Sequence, residues 1–229
     1  MTAAKLILNS MQNTNRIYWR FISSSWHILL LITLFVQAHL QVFLYFSRNN
    51  QQDQAIQILS QFGIGTLGLL EAVFLLVLIP LRTQDFSSAD ASLTPYWKFF
   101  SNKIGPLTIE GIRMTAFVVL WSFLLLIPGI YKQTKWYLMP FVVMFDKNYE
   151  AGEVDALKRS NKLVTGIFPL VFFLMIFDFT FNLVVDNYSL SVEGPLRWAA
   201  ITGASLLTMG VSIYTYSLFF QIYKLRDKE

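Results

Sequence analysis

The sequence contains no cysteine, which excludes disulfides, thiolate metal sites and thiol nucleophiles in one step. Charge is scarce as well. Asp, Glu, Lys and Arg make up 14% of the residues, against roughly 25% in an ordinary soluble domain. Histidine is limited to His27 and His39, which stand about 120° apart on a helix and so form no metal pair by themselves. No HExxH, GxSxG, Walker lysine loop or dinucleotide glycine pattern occurs, so no catalytic motif and no cofactor motif can be read. Gly63-Ile64-Gly65 with Gly68 lies in an apolar stretch, where close helix packing is the simpler reading than phosphate binding.

What the chain has in abundance is apolar surface. Hydrophobic residues reach 55% of the 229 positions, with a mean hydropathy of +0.49. A soluble protein needs polar residues to face water, and this chain has too few unless lipid covers much of it. Six apolar runs, at residues 26–46, 61–81, 114–130, 136–145, 166–185 and 198–223, predict an all-α polytopic bundle of about six transmembrane helices in a single membrane domain. The run at 136–145 is the shortest and is interrupted by Pro140, so it reads as a short span or a re-entrant segment. Residues 1–25 mix Lys5, Arg16 and Arg20 with aromatic and aliphatic side chains, the composition of a cytoplasmic interfacial segment. A signal peptide ending near Ala38 is the rival reading. It is set aside because the apolar run resumes at Leu40 and the preceding stretch is long for a signal's charged region.

Charge sets the orientation. With both termini inside and six spans, thirteen Lys and Arg fall on the cytoplasmic side. Arg48, Lys132, Lys135 and Arg197 alone fall outside, with Arg113 at the cytoplasmic mouth of the third helix. That bias follows the positive-inside rule. The net charge of +4 is therefore assigned to topology, and no nucleic-acid partner is expected.

Between the fourth and fifth runs, residues 147–165 read as a cytoplasmic amphipathic helix. At 100° per residue, Asp155, Lys158, Arg159 and Lys162 share one arc, and Ala156, Leu157, Ser160, Leu163 and Val164 the other. Gly166 suits its stop. Pro128 and Gly129 are expected to end the third helix in a tight reversal.

The same region carries a family resemblance. Ile127-Pro128-Gly129-Ile130, then Tyr137 with Pro140, then Ala156-Leu157-Lys158-Arg159-Ser160 with Leu163 and Gly166 resemble a pattern in six-helix bacterial membrane proteins. These are grouped with the membrane domain of glycerophosphoryl diester phosphodiesterases. The resemblance implies a multi-pass protein of the bacterial inner membrane. It does not carry the phosphodiesterase reaction, because that activity sits in a separate barrel of about 250 residues.

Inside the apolar runs the polar candidates are His39, Glu71, Asp178 and Asn182. A charge at mid-membrane costs about 2.5–3.5 kcal/mol on insertion scales, so each should face protein or water. Asp178 and Asn182 are four apart and share a face. One hypothesis is a proton or cation pathway through His39, Glu71 and Asp178; the simpler one is interhelical hydrogen bonding. Lys158, Arg159 and Lys162 form a candidate surface for lipid headgroups or a partner. The sequence thus predicts a non-catalytic scaffold or accessory protein of lipid or envelope organisation. Its expected partners are membrane lipids, with a protein partner or a second copy also open. The alternative is a small transporter or channel using intramembrane carboxylates.

Overall fold

The structure, a computed structural model, describes residues 3–49, 53–60, 62–63, 94–192, 194 and 196–227. Nearly all of the expected span at 61–81, with Glu71, lies outside these. The described residues are helical, with no strand among them. The main helices are α1 (Ala3–Asn49), α2 (Thr94–Leu124), α3 (Leu126–Lys135) and α4 (Met139–Phe145). They continue with α5 (Lys147–Glu150), α6 (Ala156–Val164), α7 (Phe168–Ser191) and α8 (Arg197–Arg226).

Three of them contain stretches long and apolar enough to cross a membrane: Ser101–Phe123, Phe168–Ser189 and Arg197–Arg226. A fourth is added if the bent pair Leu8–Ser23 and Ser25–Val36 of α1 counts as one span. The bend between them is 66° and falls at the boundary between the expected interfacial segment and the first apolar run.

Two expected spans take a different form. The run at 114–130 does not continue as one helix. Leu125 is extended, with φ −161° and ψ 138°, and the chain doubles back as α3. Pro128 explains the position of the break. It lacks an N–H for the Leu124 carbonyl, and its ring would strike that carbonyl in a continuous helix. Pro128 and Gly129 therefore sit inside the first turns of α3, and the reversal itself is at Leu125. Gly129 lets the two helices meet closely: a Cβ there would collide with the Ser122 side chain and lie 3.1 Å from its Cα.

The run at 136–145 becomes a turn followed by α4, seven residues and about 10 Å long. Such a helix cannot cross a hydrocarbon core of about 30 Å. Met139, Phe141, Val142, Val143 and Met144 are all buried against protein. They form the main core with Ala156, Leu157, Leu163 and Val164 of α6, Ile167 and Val171 near the start of α7, and Phe219, Phe220, Ile222 and Tyr223 of α8. Phe141 lies between Phe220 and Tyr223, and Phe145 touches both Phe99 and Phe220.

A second, smaller cluster joins the inner side of the α1 bend to the middle of α8, through Phe21, Leu29, Met209 and Ile213. Tyr18 donates to the Gly210 carbonyl there. Away from these clusters, α7 and the first half of α8 expose Phe173, Phe179, Val184, Trp198 and Leu207, the walls expected of helices that face lipid.

Candidate functional site

The densest polar chemistry surrounds the main core, and it begins with the loop after α4. Asp146 ends α4 and caps α5. Its Oδ1 accepts from the backbone N–H groups of Asn148 and Tyr149, two donors that a helix start leaves unpaired. Its Oδ2 accepts from Arg159 Nε at 2.9 Å. The other arm of Arg159 donates to Asp227 Oδ1 at 2.7 Å. One guanidinium thus ties the α5 cap to the end of α8, the forked geometry for which arginine is suited.

The far end of α6 is held by the same helix. Arg226 donates from Nε to the Leu163 carbonyl and from a terminal nitrogen to the Thr165 carbonyl, pairing acceptors that a helix end leaves open. Gly166 follows with φ +86°, the left-handed stop expected of it. Asp155 caps the start of α6 by accepting from Lys158 N–H at 2.9 Å and also pairs with Arg113 of α2. Burial alone would raise the Asp155 carboxyl. The Lys158 N–H and Arg113 outweigh that and hold it below its ordinary value. Glu110 also pairs with Arg113, and Lys103 with Glu150.

The third support is α3. Ser160 donates to the Lys135 carbonyl, and Lys135 Nζ donates to Thr165 Oγ1 at 3.3 Å. Its ammonium lies against the rings of Tyr131 and Phe168, where ring faces attract a cation. Lys132 is placed similarly between Trp121 and Trp136.

This geometry divides the three-residue basic surface expected from sequence. Lys158 and Lys162 are exposed. Arg159 is partly buried and committed to two aspartates, so it is a structural cation and does not present an open charge. The apolar arc of α6 is as read: Ala156, Leu157, Ser160, Leu163 and Val164 are all buried.

Of the intramembrane candidates, the structure places Asp178 and Asn182 in contact on α7, and His39 bonded within α1. His39 is exposed on α1, where Nδ1 donates to the Phe35 carbonyl of its own helix at 2.8 Å. Asp178 lies half-buried where α7 meets α8, and Ser212 donates to its Oδ1 at 3.4 Å. Asn182 donates to the Asp178 backbone carbonyl at 2.7 Å. These are interhelical and intrahelical hydrogen bonds of the ordinary membrane kind. Glu71 lies outside the described residues. Among those described, no group of three His, Asp or Glu is arranged to hold a metal ion.

Sequence reading missed Asp146, Asp227 and Arg226 as partners. Asp146 could have been found, since an Asp directly before a short polar helix is a capping signal. Nothing local marks Asp227, which meets Arg159 across 68 positions of chain.

Together, the described residues form an all-helical structure with three or four helices apolar and long enough to cross a membrane. Among the described residues, the ion pairs of Arg113 and Arg159 and the bonds of Arg226 gather around α6 and the end of α8. No family model, curated protein or solved structure matches the chain.

Proposed function

We propose that the protein is a non-catalytic scaffold or accessory protein of the bacterial inner membrane, acting in lipid or envelope organisation. One observation carries this reading. The charges around the core are spent on one another and on helix ends, as in Arg159 with Asp146 and Asp227, and Arg113 with Glu110 and Asp155. A site that must bind or turn over a substrate keeps reactive groups uncommitted; this one joins helices. Lys147, Lys158 and Lys162 remain exposed on its outer face, where each cation near an anionic leaflet contributes about 1 kcal/mol. The motif likeness of residues 124–166 to membrane domains that accompany other activities supports the same reading.

The test is extraction into native lipid discs, followed by mass spectrometry of what travels with the protein. Enrichment of anionic lipid, lost in a Lys158→Ala, Lys162→Ala variant, is the expected result. Turnover of a lipid substrate by the purified protein would overturn the proposal. A second reading, ion-coupled transport, is favoured only by Asp178 facing Ser212 across the α7–α8 seam. It requires that Asp178→Asn abolish a measurable flux while the protein stays folded.

A further inference from the structure

We propose that residues 114–135, the end of α2 with α3, form a re-entrant hairpin. It enters the membrane from the side of the Asp146–Arg159 cluster, contacts the acyl chains of that leaflet alone, and returns. The inference rests on the membrane reading above.

The feet of the hairpin are polar and are fastened to the two ends of α6. Arg113 is bound to Asp155, in a segment whose neighbours Lys147, Asn148, Glu150 and Glu153 are exposed and must stay in water or among headgroups. The returning foot is Lys135, bound to Thr165 beyond the end of α6. Arg226 joins that same turn to α8. Both feet are therefore fastened to one polar layer.

Its reach is short. From Arg113 to the break at Leu125 is about 18 Å of helix, and α3 returns over about 15 Å. The hydrocarbon core is about 30 Å thick, so the break lies near its middle. In contrast, α7 starts at Phe168, whose ring touches Tyr131 and Lys135, and runs on for 24 residues, enough for a full crossing.

The tip has nothing for water. From Phe123 to Ile130 there is no polar side chain, yet Phe123 is 85% exposed, Ile127 80%, and Leu125 and Leu126 68% each. A hairpin that crossed would place this turn in the opposite headgroups. Lys132 between Trp121 and Trp136, and Lys135 against Tyr131 and Phe168, mark the interface on the returning side instead. The charge pattern agrees. If Lys132 and Lys135 belong to the cytoplasmic side, the outer side keeps only Arg48 and Arg197 of the four cations that a six-span path leaves there.

Because the chain lacks cysteine, single-cysteine variants test the path directly. Gln133→Cys, Leu125→Cys, Lys158→Cys and Ser191→Cys all fall at exposed positions. Each would be treated with a membrane-impermeant maleimide in sealed vesicles of both orientations. Gln133→Cys should label from the same side as Lys158→Cys. Leu125→Cys should label from neither side until detergent is added, and a nitroxide there should respond to oxygen and not to a polar nickel complex. Labelling of Gln133→Cys from the side opposite Lys158→Cys would overturn the proposal, as would labelling of Leu125→Cys in intact vesicles. Ser191→Cys separates the two readings. If it labels from the Lys158 side, α7 does not cross and the membrane assignment falls with it. If it labels from the opposite side, only the hairpin is at stake.

Discussion

At the scale of single residues, the three basic side chains of α6 make opposite contributions despite their adjacency. Asp146 is 3% exposed, and removing Arg159 leaves that carboxylate without its cation. Loss of one partner of a buried pair costs about 3–5 kcal/mol, whereas loss of an exposed lysine costs well under about 1 kcal/mol. Arg159→Ala should therefore lower the thermal midpoint of the purified protein strongly, and Lys158→Ala hardly at all. Equal shifts would contradict the assignment. Asp155 yields a pH prediction. Its native pKa lies below the unfolded one, so its contribution is complete above about pH 4 and is lost as pH falls through the lowered native value. Its pair with Arg113 is partly exposed and contributes at most about 1 kcal/mol. Asp155→Asn should flatten the acid side of a stability–pH curve and lower the neutral plateau only by the lost pair with Arg113, since Asn caps a helix about as well as Asp. An unchanged acid limb would count against the pair. His39, Asp178 and Asn182 were legible as polar residues in apolar runs, and the four-residue spacing of Asp178 and Asn182 as a shared face. What they meet on other helices depends on helix rotation, and composition does not specify that.

At the scale of elements, the buried side of α6 was readable, because a one-face helix advertises it through its period, but the helix expected over 147–165 is broken at 151–155 into α5 and α6. The α2–α3 hairpin was only half readable. Pro128 and Gly129 announce a reversal, but the break falls at Leu125, since a proline acts on the carbonyl four residues before it. The run at 136–145 misled for a physical reason: a short apolar run is equally suited to lipid and to a protein core, and here protein supplies the burial. Gly129 tests the hairpin's packing. Gly129→Ala must push apart α2 and α3, because backbone at Ser122 stands in the way, and overpacking of this kind costs about 1–3 kcal/mol. Gly203→Ala in α8 meets nothing within 4 Å and should be neutral or gain up to about 1 kcal/mol, the helical preference of alanine. Chemical or thermal denaturation of the pair decides it: a tolerant Gly129 would remove the close approach.

At the scale of the whole molecule, all-helical construction and an apolar exterior were evident from composition, while the gathering of the core at one end was not. The main core joins α4, α6 and the far half of α8, segments widely separated along the chain, and no local pattern records such pairings. Hydrogen exchange in detergent or lipid should resolve this arrangement. Amides within Met139–Phe145, Ala156–Val164 and the end of α8 should exchange slowest, since opening them requires dismantling the core. The early part of α1, joined to the rest through the small cluster at Phe21 and Leu29, should exchange faster. The reverse order would mean that the α1 contact, and not the main core, is the stable centre.

Both clusters have one helix in common. The Phe21–Leu29 cluster closes on Met209 and Ile213, the main core closes on Phe219 through Tyr223, and Asp227 completes the coordination of Arg159. All of these lie in or directly after α8, downstream of every partner they serve. During synthesis, the faces of α1, α4 and α6 that meet α8 must therefore stay open until α8 is made. The contacts that close both clusters form in a late step, after translation has passed residue 227. A nascent chain interrupted at Ser191 would lack α8 and hold no finished core, and it should be cleared by quality-control proteases far faster than the longer product. Pulse–chase turnover of the two chains would show whether assembly is timed in this way.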